Sequence, residues 1–283
     1  MKVTLLLRVP FLDKIPSLKT LVVDLARRGV EINIISTIAR KYPISDFKEY
    51  SNVKMTLVKQ RTRKFDLPTS AKLLWAMLKT ILWRKSDYYI GGDATGCHLL
   101  CWLKIIFSFK YVNFVLEYPD INNQNELREI ELADYVITHD HWHGDFICKY
   151  CSIKKERMFF LPNASYTDVH NEHDDYLSKK LHIPSGRNIV LHSGGLGEWF
   201  CSKELARSAK KWDASYVLVF HTSHLVENST YFHELKNEVK DSDKILFSTT
   251  PVPNIELDRL VASAKIGLAI YSLKHLGYRA ENI

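Results

Sequence analysis

Short apolar runs alternate with segments whose apolar residues recur at helical spacing, and this alternation runs through most of the chain. Residues 3–7 and 30–36 are apolar runs; between them Leu18, Leu21, Val22 and Leu25 share one helical face, which Gly29 closes. An apolar run, a stretch of period 3.6 and a second run make up a β-α-β unit. Further strands read at 53–58, 88–90, 112–116, 135–138 and 158–161, with helices at 71–85, 98–109, 126–132 and 145–150. After residue 188 the alternation restarts, with strands at 189–192, 216–220, 244–247 and 266–270 and helices at 202–212, 230–239 and 254–263. Parallel strands joined by helices need helices on both faces of the sheet. The chain therefore reads as α/β, with two doubly wound Rossmann-like domains in series. Residues 164–187 are polar with little periodicity and read as the crossing, so the domains are drawn at 1–165 and 188–283 with a linker at 166–187. Ligands of such sheets bind beyond the carboxyl ends of the strands. With two domains, those ends can face each other across a cleft.

The composition supports a chain with a real core: 46% of its 283 residues are apolar and 25% charged. No apolar run approaches the ~18 residues needed to span a bilayer. The apolar opening is too short, and is broken by Arg8, to read as a secretory signal. Cys97, Cys101, Cys148, Cys151 and Cys201 are odd in number and read as reduced thiols of a cytoplasmic protein. Charge is uneven. Residues 1–85 hold 18 Lys/Arg against 6 Asp/Glu, and residues 86–283 hold 21 against 26. A basic first third points to an anionic partner for that part alone: a membrane surface, a nucleic acid or a phosphorylated acceptor.

One stretch carries a ligand signal. Residues 188–209, NIVLHSGGLGEWFCSKELARSA, run from an apolar strand through Gly194, Gly195 and Gly197 into a helical pattern with Leu205, Ala206 and Ala209 on one face. Glycines admit a close approach of backbone to ligand, and the N-terminus of a following helix favours an anion, usually a phosphate. Neither G-x-G-x-x-G nor G-x-x-x-x-G-K-[ST] is present, so a turn that binds nothing remains an equal reading of the motif alone.

Several segments together resemble the GT-B-fold glycosyltransferases of the family 4 kind. ADYVIT at 133–138, KKER at 154–157 and FLPN at 160–163 resemble the end of that family's first domain. RGVEI at 28–32 resembles its "rGheV" segment, residues 188–205 the start of its donor domain, and TTPVP at 249–253 with residues 257–268 a later donor-domain motif. The resemblance implies two Rossmann-like domains facing a cleft, and transfer of a sugar from a nucleotide-diphosphate sugar, bound by the second domain, to a glycan or lipid-linked acceptor held by the first. It implies no cofactor beyond that donor substrate, and a place in surface polysaccharide or lipopolysaccharide synthesis. Two features depart from the family. Its usual Lys or Arg after the glycine turn falls here near Trp199 or Phe200, with Lys203 somewhat later. The chain also stops at Ile283, where the family continues into a helix that grips ribose and diphosphate, so the resemblance is to a C-terminally truncated donor domain.

On this reading the donor-binding candidates are Gly194, Gly195, Lys203, His221, Thr222, Pro251, Val252, Pro253 and Glu281. His221 and Thr222 end a strand; a satisfied strand-end histidine is the competing reading. The 251–253 turn would meet a nucleobase, or serve only as a rigid turn. Glu281 would accept hydrogen bonds from a sugar hydroxyl. Asp93, Glu117 and Asp120 each follow a buried strand and are the candidates for the chemistry, since a carboxylate can take the proton of an acceptor hydroxyl. Helix capping is the alternative, above all for Asp120. His139, His141 and His143, with Cys148 and Cys151 near, have zinc-ligand character; without H-E-x-x-H or a paired C-x-x-C they read as polar lining, and no metal site is assigned.

Arg61, Arg63 and Lys64 precede a helical stretch bearing Trp75 and Trp83, a combination suited to a membrane interface or to a core helix with basic ends. The chain thus reads as cytoplasmic, with peripheral attachment to an anionic membrane. No zinc-finger, RRM or KH signature supports a nucleic-acid partner. A sugar-nucleotide epimerase of the same fold, and a remnant that only binds, are the rival readings.

Overall fold

The computed structural model describes residues 1–10, 12, 15–39, 44–60, 67–164, 173–222, 227–250, 252 and 254–272, with residues 254 and 255 described by their backbone alone. The chain divides into two compact units, Met1–Tyr166 and Thr167–Ile283.

The first unit is built on a seven-stranded parallel sheet. Its strands are β1 (Lys2–Leu6), β2 (Glu31–Ile38), β3 (Val53–Lys59), β4 (Tyr88–Gly91), β5 (Tyr111–Phe114), β6 (Tyr135–Thr138) and β7 (Met158–Phe160), arranged β3-β2-β1-β4-β5-β6-β7. The helices are α1 (Pro16–Arg27), α2 (Leu67–Lys79), α3 (Ala94–Ile106), α4 (Gln124–Glu131) and α5 (His141–Tyr150). A strand covered on both faces reads as a continuous apolar run because alternate side chains enter different cores. In β1, Leu6 joins α2 and α3 on one face of the sheet, while Val3 and Leu5 join Leu18 and Val22 of α1 on the other. Helix α1 begins on Pro16, whose fixed φ suits a first turn, and ends at Gly29 with φ of 76°.

The second unit has a four-stranded parallel sheet, β8 (Asn188–Ser193), β9 (Tyr216–His221), β10 (Ile245–Ser248) and β11 (Ile266–Leu268), in the order β10-β9-β8-β11. Helices α6 (Tyr176–Leu181), α7 (Ser202–Ala209), α8 (Thr230–Val239) and α9 (Asn254–Ala262) complete it. In β9, Leu218 and Phe220 pack with α7 and α8, whereas Val217 and Val219 pack with Leu177 and Leu260.

The order of strands and helices follows the sequence reading, with three differences. The polar crossing is not a linker throughout. Its second half holds α6, where Leu177 is fully buried and donates its N–H to Ser263 Oγ at 3.1 Å. Asp174 pairs with Arg259 at 2.7 Å and the Tyr176 hydroxyl donates to Glu256 at 2.8 Å. A six-residue helix with one apolar anchor is too short to register as a period. Helices α3 and α5 also start four residues ahead of the positions read from sequence, at Ala94 and His141. Helix α2 begins at Leu67 and widens into a π-turn over Thr80–Arg84. Among the described residues no helix is long and apolar enough to cross a membrane.

Leu177→Ala is expected to lower the unfolding free energy by about 2–5 kcal/mol, as for other buried leucines. Urea unfolding checks this, and a loss below about 0.5 kcal/mol, typical of a surface site, would return the segment to linker status.

Candidate functional site

In a doubly wound sheet the first strand is flanked on both sides, and the loops beyond it diverge where the strand order reverses. That place is the β1/β4 edge in the first unit and the β8/β11 edge in the second.

In the first unit Asp93 closes the gap. It is the N-cap of α3, and one carboxylate oxygen accepts from Gly96 N at 2.7 Å. The other accepts from Arg8 N at 2.6 Å and Val9 N at 2.9 Å, which joins the loop after β1 to the start of α3. Burial pushes its pKa above the ordinary carboxylate value, opposed by these three N–H donors and the Arg8 charge. Hydroxyls on β2 hold the same loop, Thr37 donating to Arg8 O at 2.6 Å and Ser36 to Val9 O at 2.7 Å. Asp93 is thus a backbone staple and not an open base, which corrects the sequence reading. Its oxygens are committed to amides that nothing else would satisfy.

Asp120 lies in the loop ahead of α4. Its carboxylate accepts from Asn122 N at 2.9 Å in a tight turn, while Asn123 caps α4. Glu117 stands exposed, three residues past the end of β5. The histidine run proves to be the start of α5. Asp140 caps it by accepting from His143 N at 2.8 Å, His143 stacks on Tyr118 with centroids 4.3 Å apart, and His139 Nδ1 lies 3.2 Å from Leu161 O. Among the described residues no cluster of His, Cys, Asp or Glu is arranged to hold a metal ion.

In the second unit the gap is bridged by backbone. Gly194 N donates to His221 O at 2.9 Å, tying the glycine turn to the end of β9. Its φ of 154° lies in a region side chains avoid, and a Cβ there would meet open space. Beneath the turn, buried His192 places Nε2 3.0 Å from Gly195 O, which makes that nitrogen the protonated one. Ser202 Oγ accepts from Gly197 N at 3.2 Å, and beyond β11 Ser272 N donates to Trp199 O at 2.8 Å. The amides of Gly195 and Leu196 have no hydrogen-bond partner among the described residues. Helix α7 starts beside them with no side chain capping its first turn. Unpaired N–H groups beside a helix N-terminus form an anion-binding arrangement. The Phe200 ring covers Gly195, where a Cβ would be driven into it, and packs near His192 and Tyr271.

The donor candidates fare unequally. Gly194 and Gly195 lie in this turn, and His221 and Thr222 end the neighbouring strand β9 on the side away from β11, where His221 Nδ1 lies 3.1 Å from Ser248 Oγ and Thr222 N donates to Ser248 O at 3.0 Å. Lys203 does not join them. It reaches across to α8, pairing with Glu234 at 2.7 Å and lying over the Tyr231 ring, so it is corrected to a helix–helix contact. Val252 packs against the core face that holds Val217 and Val219. Pro251, Pro253, Glu281, Arg61, Arg63 and Lys64 lie outside the described residues. The sequence reading missed His192, Ser202, Ser248 and Phe200. His192 was legible as the one polar residue in the apolar run 189–192.

No protein-family model matches the sequence, and no curated protein matches it. Solved structures do match. HepE from Anabaena, in complex with UDP and glucose, aligns over 94% of this chain and 73% of its own at 13% identity and a TM-score of 0.65. Sucrose-phosphate synthase from Thermosynechococcus elongatus aligns over 94% and 74% at 12% identity and a TM-score of 0.70. A UDP-N-acetylglucosamine 2-epimerase aligns over 94% and 72% at 12% identity and a TM-score of 0.62. At such identity the likeness shows the fold: this chain has the GT-B fold of two Rossmann-like units in series.

Burial, and secondarily the Lys180 charge, lower the pKa of His221 from 6.5. The folded state therefore binds fewer protons than the unfolded chain once the pH falls below 6.5. Stability associated with this group is complete above that pH and declines as the pH drops toward the lower folded value. Unfolding midpoints of wild type and His221→Asn are expected to converge on acidification; a constant difference from pH 7.5 to 5 would contradict the shift.

Proposed function

We propose that this protein transfers a sugar from a nucleotide-diphosphate sugar to a glycan or lipid-linked acceptor in surface glycoconjugate synthesis, as a family 4-like glycosyltransferase working at the cytoplasmic face of a membrane. One observation carries the reading: the glycine turn at the β8/β11 reversal offers the unpaired amides of Gly195 and Leu196 beside the open start of α7. A departing nucleoside diphosphate develops negative charge, and fixed N–H donors stabilise that charge without reorganising. Among the described residues no carboxylate closes this gap, in contrast to the Asp93 staple of the first unit. The fold is one in which HepE holds UDP-glucose.

Within the proposal, the amides of Gly195 and Leu196 receive the diphosphate, Gly194 gives the turn its φ, and His192 fixes the turn from beneath. His221 and Thr222 line the neighbouring strand end. Glu117 is the carboxylate retained for the acceptor side; Asp93, Asp120 and Lys203 are not assigned to binding or chemistry. The likeness to a UDP-N-acetylglucosamine 2-epimerase supports a second reading, in which the same donor is bound and its sugar isomerised.

Calorimetric titration with UDP and UDP-glucose is the test. We expect a Kd at or below about 1 mM. Gly194→Val is expected to weaken binding at least tenfold, since a β-branched residue resists that φ, while the far-UV circular dichroism stays unchanged. Absence of binding at several times that concentration, or unchanged affinity in Gly194→Val, would contradict the proposal. With a lipid-linked acceptor added, transfer of the sugar favours the first reading and isomerised sugar nucleotide the second.

A further inference from the structure

Away from the glycine turn, three side chains form a hydrogen-bonded chain on the outer side of α3. His98 Nδ1 lies 2.6 Å from Glu129 Oε1 of α4. Trp102, one turn further along α3, donates from Nε1 to His98 Nε2 at 3.1 Å. The two rings meet edge to face, with centroids 6.2 Å apart. The Glu129 side chain is 12% exposed, whereas that of His98 is 49% exposed and can exchange protons with water. Trp102 is exposed and is followed by exposed Ile105 and Ile106.

These contacts fix the protonation of each member. An indole N–H only donates, so His98 Nε2 is the bare nitrogen. A neutral imidazole carries one ring proton, which therefore sits on Nδ1 and is donated to Glu129 as a carboxylate. Burial pushes the Glu129 carboxyl up, and the hydrogen bond and charge of His98 oppose that rise. Other titratable groups surround the pair. On α4, Glu126 raises Glu129 further, and Arg128 is exposed. Towards the core stand the thiols of Cys97 and Cys101 on α3 and the phenol of Tyr111 on β5, all pushed up by burial and therefore neutral. Tyr89 of β4 turns its hydroxyl to Ser86 N.

Protonation of His98 changes the two limbs in opposite directions. It places a second donor on Nε2, facing the indole N–H, and two donors cannot share a bond. The Trp102 limb opens. The Glu129 limb becomes a charge-assisted bond within an ion pair, stronger than the neutral one. The joint between α3 and α4 is kept while the indole is let go, so the change falls on the surface of α3 and not on its packing.

We infer that His98, seated on Glu129, is a proton-operated latch for the Trp102 side chain, closed when the imidazole is neutral and open when it is charged. Imidazole is the side chain whose charge ordinarily changes between about pH 5 and 8. The inference concerns α3 and α4 of the first unit and does not depend on the nucleotide reading of the second.

Indole N–H resonances of the isotopically labelled chain, followed by NMR from about pH 8 to 5, test it. The signal missing from Trp102→Phe assigns the resonance. In the wild type it is expected to shift with one midpoint, which coincides with the titration of the His98 ring protons. In His98→Gln, whose amide oxygen accepts from the indole at every pH, that shift is expected to vanish. In Glu129→Gln, which lacks the carboxylate that favours the imidazolium, the midpoint is expected to move to lower pH. Circular dichroism of each variant is expected to match the wild type, and the wild-type titration stands without His98→Gln and Glu129→Gln. A Trp102 resonance unmoved across this range, a shift that survives in His98→Gln, or an unchanged midpoint in Glu129→Gln would overturn the inference.

Discussion

A parallel sheet whose first strand lies in its interior makes the chain reverse direction across that strand, and the loops on either side of the reversal have to be fixed. Both units of this protein meet that constraint, and they meet it differently. In the first, the Asp93 carboxylate takes three backbone N–H groups from both sides of the gap. In the second, Ser272 N beyond β11 donates to Trp199 O in the loop after β8, and no acidic side chain enters the bonds described there. A gap sealed by a carboxylate repels anions and has spent its donors. A gap sealed by backbone leaves the next amides, Gly195 and Leu196, free to meet one. The assignment of a diphosphate to the second unit follows from this contrast more than from the glycines themselves.

Packing supports the turn from below. Strand β9 is fully buried from Val217 to Phe220 and holds the sheet against helices on both faces. His192 lies at that depth and meets the turn through one ring nitrogen. The turn is therefore anchored to a rigid layer, while its covering group, the Phe200 ring, is a single side chain.

The sequence revealed most of the strand and helix order because buried parallel strands and amphipathic helices have distinct periods. It failed where glycine lies in the first turn of a helix. Gly96 faces the Leu6 carbonyl oxygen and Gly144 faces the Phe160 ring, each too close for a Cβ. Each interrupts the apolar helical spacing near the start of its helix, and α3 and α5, read from residues 98 and 145, begin four residues earlier, capped by Asp93 and Asp140. Asp93 thereby became a candidate base. Lys203 failed for another reason: its position beside the turn was legible, but its direction depends on Glu234, 31 residues away in sequence. His192 was visible as a polar residue in a strand, yet its role rests on a three-dimensional approach to Gly195 that spacing does not encode.

The central claim is that the backbone turn after β8 receives a nucleoside diphosphate. Amide-resolved NMR of the isotopically labelled chain, titrated with UDP, tests it most directly. The account predicts that the largest shifts fall on the amides of Gly195 and Leu196 and on the first turn of α7. Shifts confined to the first unit, or none at saturating UDP, would contradict it.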